Sequence, residues 1–260
     1  MEEQGEPADR TDRTDPSDPS DPSDLARRLR EAGTEELVAL VRERSAELDP
    51  ALVGQALRNP FCTAEVLEEI AAERRLLSQY EVRRALALHP RAPEVLAMRF
   101  VPGLYWRDLM ELGLDTRLRP TLRRAADLQL AARLPQLALG EKMSLARRAS
   151  AGVLDQLRHD PSPRVIAALL DNPRLTEGVL TPVVSKTSTP PAVLELIAAD
   201  RRWGVRYPLR LALVRNPSTP LETAWRILGM LRKADLKPVA ADPRLPEAVR
   251  RRARVLLGEG

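Results

Sequence analysis

The stretch LALVRNPSTPLETAWRIL, residues 211–228, reads as a helix, a break and a second helix. Apolar residues recur at helical spacing on both sides of Asn216-Pro217. A residue that precedes proline is pushed out of the α region, so the first helix ends at Asn216. Asparagine tolerates that geometry, and its short amide can bond nearby backbone. Thr219 and Pro220 then read as an N-cap followed by proline at the first helical position. Glu222 stands three residues after Thr219, the spacing of a capping box. The expectation is a tight, proline-bounded turn between two short helices.

The phrase recurs as QALRNPFCTAEVLEEI (55–70), LALHPRAPEVLAMRF (86–100) and ALLDNPRLTEGVL (168–180). The chain has three asparagines, Asn59, Asn172 and Asn216, and each directly precedes a proline: Pro60, Pro173 and Pro217. His89 before Pro90 and Asp242 before Pro243 take the same place. Thr189-Pro190 repeats the expected cap of Thr219-Pro220, and Pro93 and Pro246 stand where Pro220 does. The second helices carry apolar residues at helical spacing: Val66, Leu67 and Ile70; Val193, Leu194 and Ile197; Ala224, Ile227 and Leu228. One such pair cannot bury its apolar face alone, whereas stacked neighbours can. The expected fold is all-α, an α-α superhelix of degenerate helix-turn-helix repeats, since the anchoring prolines 60, 90, 173, 217 and 243 are unevenly spaced.

Outward from these phrases the chain changes character. In residues 1–24 Asp9, Asp12, Asp15, Asp18, Asp21 and Asp24 recur every third position, the last five within TDRTDPSDPSDPSD. Too few apolar side chains stand there to repay ordering entropy, and Asp-Pro-Ser favours extended chain. The segment is expected to be a disordered acidic tail, serving as a solubilising leader or as a binder of basic surfaces. Residues 25–260 are expected to form the helical-repeat domain, with 50–101 and 161–257 its clearest parts. Asp24 and Thr34 read as N-caps of the first two helices. Residues 102–160 lack the phrase and read as drifted repeats or a helical insertion. There Leu118, Leu122, Ala125, Gln129 and Leu134 share a face, and Gly103, Gly113, Gly140 and Gly152 mark breaks. The last helix, 246–257, buries Val249, Ala253 and Leu256 and turns Arg250, Arg251, Arg252 and Arg254 elsewhere.

The bulk numbers narrow the function. The chain has 260 residues, and no run approaches a membrane span. The N-terminus has no apolar signal core. One cysteine, Cys62, allows neither an internal disulfide nor a thiolate metal cluster, and a cytoplasmic protein is expected. Residues 1–24 hold nine acidic and two basic side chains, net −7, against +4 for the whole chain, so the rest carries +11. Nearly all the positive charge is arginine. It suits a polyanion-binding surface, and equally a solvated face built with an arginine- and alanine-rich vocabulary.

ALVRNPSTPLETAWRIL, LRNPFCTAEVLEEI and KTSTPPAVLELIAAD resemble bacterial leucine-rich-repeat-variant and HEAT/armadillo-type repeats, in which an Asn-Pro-x-Thr-Pro turn joins short helices. The resemblance covers residues 50–260 with gaps. It implies the solenoid and assigns no activity. The cysteine cluster that one type of variant repeat carries for an iron–sulfur centre has no counterpart here beyond Cys62. LGEKMSLARRA (139–149) resembles a segment of a further bacterial group and likewise implies no chemistry.

Candidates for chemistry are few. His89 and His159 have no second histidine or cysteine near them in sequence and read as turn residues. Cys62 has no base placed near it and reads as a structural thiol. LGEK (139–142) lacks the spacing of a phosphate loop and reads as a helix start. Tyr105, Trp106, Trp203, Arg206, Tyr207 and Arg210 lie at helix breaks and form the candidate binding surface, with Asp108 nearby. HEAT-like DNA glycosylases hold DNA with tryptophan and aspartate in a basic groove, but their positions do not match residue by residue. Aromatic residues are 3% of the chain, thin for base stacking, and such rings also fill gaps between helices. Glu65, Glu68, Glu69, Glu73, Glu195 and Asp200 on or beside second helices would repel phosphate. The sequence therefore points to a non-catalytic scaffold or adaptor that binds a protein or peptide along a helical surface. The alternative is a nucleic-acid-binding or DNA-repair-like HEAT protein with an arginine-rich face. Neither implies a cofactor, a metal or a membrane.

Overall fold

The computed structural model describes residues 22–259. The expectation for the acidic tail lies outside these residues, except that Pro22, Ser23 and Asp24 already belong to the first helix. Among the described residues there are eighteen α-helices, two short 3₁₀ turns and no strand. The chain divides into two compact units after Phe100.

The first unit contains α1 (Pro22–Glu31), α2 (Thr34–Glu43), α3 (Pro50–Arg58), α4 (Ala64–Ala72), α5 (Arg74–Ser78), α6 (Tyr80–Leu88) and α7 (Glu94–Phe100). In it α1 packs on α3, α2 on α4 and α3 on α6. The second unit contains α8 (Trp106–Leu114), α9 (Pro120–Arg133), α10 (Leu139–Arg148), α11 (Ala151–Leu157), α12 (Pro163–Leu170), α13 (Glu177–Ser185), α14 (Pro191–Ala199), α15 (Tyr207–Arg215), α16 (Leu221–Leu228), α17 (Lys233–Ala241) and α18 (Glu247–Leu257). There α10 packs on α12, α12 on α14, α13 on α15, α15 on α17 and α16 on α18. Helices thus meet partners two or three along the chain, and the apolar positions expected on α4, α14 and α16 are all buried.

The asparagines explain how one helix pair is fastened to another. Each is buried, with its side-chain oxygen accepting an N–H two residues on: Phe61 to Asn59 at 2.7 Å, Arg174 to Asn172 at 2.8 Å, Ser218 to Asn216 at 2.9 Å. Each Nδ2 reaches the end of an earlier helix. Asn59 donates to the carbonyls of Leu29 and Ala32, Asn172 to Ala146 and Ala149, Asn216 to Val184 and Lys186, all at 2.7–3.2 Å. The last carbonyls of a helix have no partner within it, so each turn caps a helix that stands earlier in the chain. His89 does the same with a ring, Nε2 at 3.2 Å from the Leu57 carbonyl and Nδ1 accepting from Arg91. Asp115, Asp160, Asp200 and Asp242 keep the local half of the motif, each accepting an N–H two residues on at 2.8–3.0 Å.

Arginines add to this fastening. Arg75 donates to the carbonyls of Ser45, Ala46 and Leu48, Arg91 to Pro60 and Cys62, Arg133 to Pro102 and Leu104, and Arg202 to Asn172 and Leu175. Part of the arginine excess is therefore spent on backbone carbonyls. The acids of α4 are also engaged: Arg42 of α2 pairs with Glu65 and Glu69.

Several local expectations are corrected. Thr189 and Thr219 are not N-caps; those positions belong to Pro190 and Pro220. Both threonines are buried, and their hydroxyls donate 2.6 Å back to Val183 and Leu213, closing the end of the preceding helix. No capping box forms at Glu222, because the Thr219 hydroxyl is used there. Gly33, not Thr34, caps α2, and Asp24 lies within α1, paired with Arg27. Of the four glycines expected at breaks only Gly103 is outside an α-helix; Gly113, Gly140 and Gly152 lie inside α8, α10 and α11. On α9 the buried stripe is Leu122, Ala126 and Leu130, with Ala125 and Gln129 half-buried beside it. Leu256 of α18 is also only half-buried. LGEK does open a helix, α10, with the Glu141 carboxylate accepting the Ala138 N–H at 2.9 Å.

Candidate functional site

A concavity of about 830 Å³ lies in the second unit between α8 and α10. Proximity of the two helices at their N-terminal ends fixes its shape. Trp106, first residue of α8, donates its indole N–H at 3.0 Å to Glu141 in the first turn of α10. The helices touch little elsewhere, and the gap is lined by Trp106, Met110 and Leu114 among charged side chains.

Those charges alternate in sign. Arg107, Arg117, Arg147 and Arg148 line the groove together with Asp108, Glu111 and Asp115. Most have partners. Arg117 makes a 2.7 Å ion pair with Asp115, and this guanidinium holds the Asp115 carboxyl below the usual carboxylate range. Arg147 lies 3.9 Å from Asp171. The Arg107 guanidinium sits 5.3 Å from the centre of the Trp106 ring. Arg148 is exposed and has no ion pair among the described residues. Such a groove offers an apolar floor and a rim of charges of both signs, in which Arg107 and Arg148 have no ion pair among the described residues.

The structure separates the residues that the sequence grouped as a candidate surface. Trp106 lines the groove, and Tyr105 precedes it, 65% exposed. Trp203 is a core residue, 1% exposed, with its indole N–H donating to the Leu170 carbonyl at 3.3 Å and the guanidinia of Arg202 and Arg206 over its ring. It offers no face to a ligand. Arg210 donates to the Gly204 carbonyl at 2.8 Å, and Arg206 lies 3.8 Å from Glu177. The Tyr207 hydroxyl donates to Asp235 at 2.5 Å and accepts the Arg232 N–H at 3.0 Å. The group around Trp203 is therefore an internal joint, and none of it lines the groove at Trp106. A position at a helix break suits either role, and the gap-filling one is what the structure gives Trp203.

Away from the groove lie a buried thiol and a half-buried carboxyl. The Cys62 thiol is fully buried, and that burial pushes it up to about 11, so it is neutral and unreactive at physiological pH. Asp127 of α9 fits its carboxylate into a slot cleared by two glycines. A Cβ on Gly113 would lie 2.6 Å from its Oδ1, and one on Gly152 2.9 Å from its Oδ2. Oδ1 is buried without a hydrogen-bond partner. Burial raises this carboxyl above its usual range, while Ser150 and Arg123 pull it back.

Charge is divided unevenly along the chain. Residues 101–260 carry 27 basic and 16 acidic side chains, net +11, whereas residues 25–100 carry 12 of each. Among the described residues no helix is long and apolar enough to cross a membrane. Comparison with protein-family models, with curated proteins and with solved structures gives no match.

Proposed function

We propose that the chain is a non-catalytic interaction protein, a helical-repeat solenoid of HEAT/armadillo type whose α8/α10 groove receives a peptide segment of another protein. The carrying observation is the groove itself: an apolar floor of Trp106, Met110 and Leu114 within charges of both signs. A polypeptide brings apolar side chains and charges of both signs, so it can match each feature. A phosphate backbone brings one sign only and would meet Asp108, Glu111 and Asp115 at close range. Affinity would come from apolar anchors on the floor, and selectivity and on-rate from the charged rim. The repeated turns that cap earlier helices support the solenoid reading, since each layer completes the one before it. A single buried thiol suits a reducing compartment such as the cytoplasm.

The second reading, a nucleic-acid-binding protein, is favoured by one observation, the net +11 of residues 101–260. Many of those arginines hold backbone carbonyls or carboxylates, which leaves fewer for phosphate.

A pull-down from nuclease-treated host lysate separates the two readings. The intact chain is compared with a variant carrying Arg107→Glu and Arg148→Glu. A partner protein recovered with the intact chain and lost with the variant supports the groove. Recovery that vanishes with nuclease, together with steeply salt-dependent binding to DNA or RNA, replaces it with the second reading.

A further inference from the structure

The exposed face shared by α16 and α18 combines apolar and basic side chains. On α16, Thr223, Ala224, Ile227 and Leu228 point inward, which turns Leu221 and Trp225 outward one helical turn apart. On α18, Val249 and Ala253 are buried, and Ala248, Arg251, Arg252 and Val255 follow at i, i+3, i+4 and i+7 on another face. The two faces enclose a shallow concavity of about 270 Å³ with Trp225 on one side and Arg251, Arg252 and Val255 on the other. Trp225 is 42% exposed, Val255 50% and Leu221 38%. The Trp225 indole N–H lies 3.4 Å from the Ala248 carbonyl, which lays the ring across α18.

The charges around the ring are open on one side only. Glu247, the acid of α18, is taken by Arg250 and Arg254. Arg251 and Arg252 are exposed and have no ion pair among the described residues, and the same holds for Arg226 beside Trp225. Glu222 lies one turn earlier on α16, so carboxylates of a ligand would favour the α18 side. The face therefore asks for negative charge and for an apolar side chain to cover Trp225, Leu221 and Val255.

We infer that this face is a docking surface for an acidic peptide segment that carries bulky apolar side chains at helical spacing, independent of the α8/α10 groove. A second copy of the chain fits poorly, because a symmetric contact would bring Arg226, Arg251 and Arg252 of both copies together. Single-stranded nucleic acid fits poorly too. It uses successive rings to stack successive bases, and here one ring is flanked by aliphatic side chains. An acidic amphipathic segment satisfies both demands, with leucine-like anchors on Trp225 and carboxylates bidentate to Arg251 and Arg252.

Fluorescence anisotropy of the full chain with three labelled probes tests this. The probes are a glutamate–leucine peptide with leucine at helical spacing, the same peptide with serine for leucine, and oligo-dT. The first probe is expected to bind saturably and the second not. Trp225→Ala is expected to weaken binding roughly tenfold or more, as is the double change Arg251→Glu with Arg252→Glu, while Arg148→Glu in the groove has no effect. All these side chains are exposed, and an unchanged circular dichroism spectrum confirms the fold of each variant. The inference is overturned if the glutamate–leucine peptide does not bind, or binds all variants equally. It is also overturned if oligo-dT binds more tightly with the same sensitivity to the variants, or if the chain forms a dimer that Trp225→Ala dissolves.

Discussion

Replacing Asn172 by aspartate changes one group of atoms and inverts the chemistry of a buried turn. The Asn172 amide donates at 2.8 Å to the Ala146 carbonyl and at 3.2 Å to the Ala149 carbonyl, in a residue with no solvent exposure. An aspartate keeps the oxygen that accepts the Arg174 N–H but puts a second oxygen against two carbonyl oxygens. Ionised, it is repelled; neutral, it can donate to one of the two. Holding an ordinary aspartate neutral at pH 7 costs about 4 kcal/mol, and the lost hydrogen bond adds about 1. At pH 5 the neutralisation term falls to about 1.5 kcal/mol. The folded-state pKa of the new acid is raised, so the variant loses stability as pH rises and regains it as pH falls. Asn172→Ala, by contrast, removes three hydrogen bonds and should cost about 2–4 kcal/mol at either pH. The assay is urea unfolding at pH 5 and pH 7, followed by tryptophan fluorescence. All three tryptophans lie within residues 101–260, and Trp203 is bonded to Leu170, two residues from the turn. The reasoning is refuted if Asn172→Asp matches the parent at pH 7, or if its deficit is the same at both pH values.

Other outcomes follow from the same contacts. Asp127→Asn should stabilise the second unit above the raised pKa of Asp127 and lose that advantage as pH falls, because protonation already relieves the parent there; thermal melts across acidic and neutral pH read this. Gly204→Ala should cost about 3 kcal/mol or more, since a Cβ would sit 2.3 Å from the Ala198 carbonyl oxygen. Gly140→Ala, with nothing within 4 Å, should gain roughly 0.5 kcal/mol in α10, and urea midpoints compare the two. Cys62 should react with a thiol reagent only when the first unit opens, so its labelling rate in native buffer should track unfolding; rapid labelling would show that the thiol is not buried.

Much of the architecture was legible because its punctuation is local. Asparagine before proline can only end a helix, and the second-helix stripes at residues 66–70, 193–197 and 224–228 are buried as their spacing demands. What the sequence hid is what acts at a distance. The Asn172 and Asn216 amides reach carbonyls 23 to 32 residues earlier, and no local pattern encodes that. The threonines before Pro190 and Pro220 look like caps of the next helix but close the previous one, because each buried hydroxyl bonds a carbonyl in the last turn of that helix. Asp115 and Asp200 form the same turn without a following proline, so the proline punctuation does not mark them. Trp203 stands at a helix break, which suits a groove or a gap between helices equally, and only its burial decides for the gap. Trp225 was legible, since an inward face of Ala224, Ile227 and Leu228 turns it outward. The groove at Trp106 depends on Glu141, thirty-five residues away.

The central claim, that the α8/α10 groove binds polypeptide, is tested most directly by selecting peptides from a random display library on the intact chain. A parallel selection uses the Arg107→Glu, Arg148→Glu variant. The account predicts a recurring motif with an apolar anchor and at least one acidic residue, enriched on the intact chain and absent from the variant. No enriched motif that depends on Arg107 and Arg148, or no enrichment at all, would contradict it.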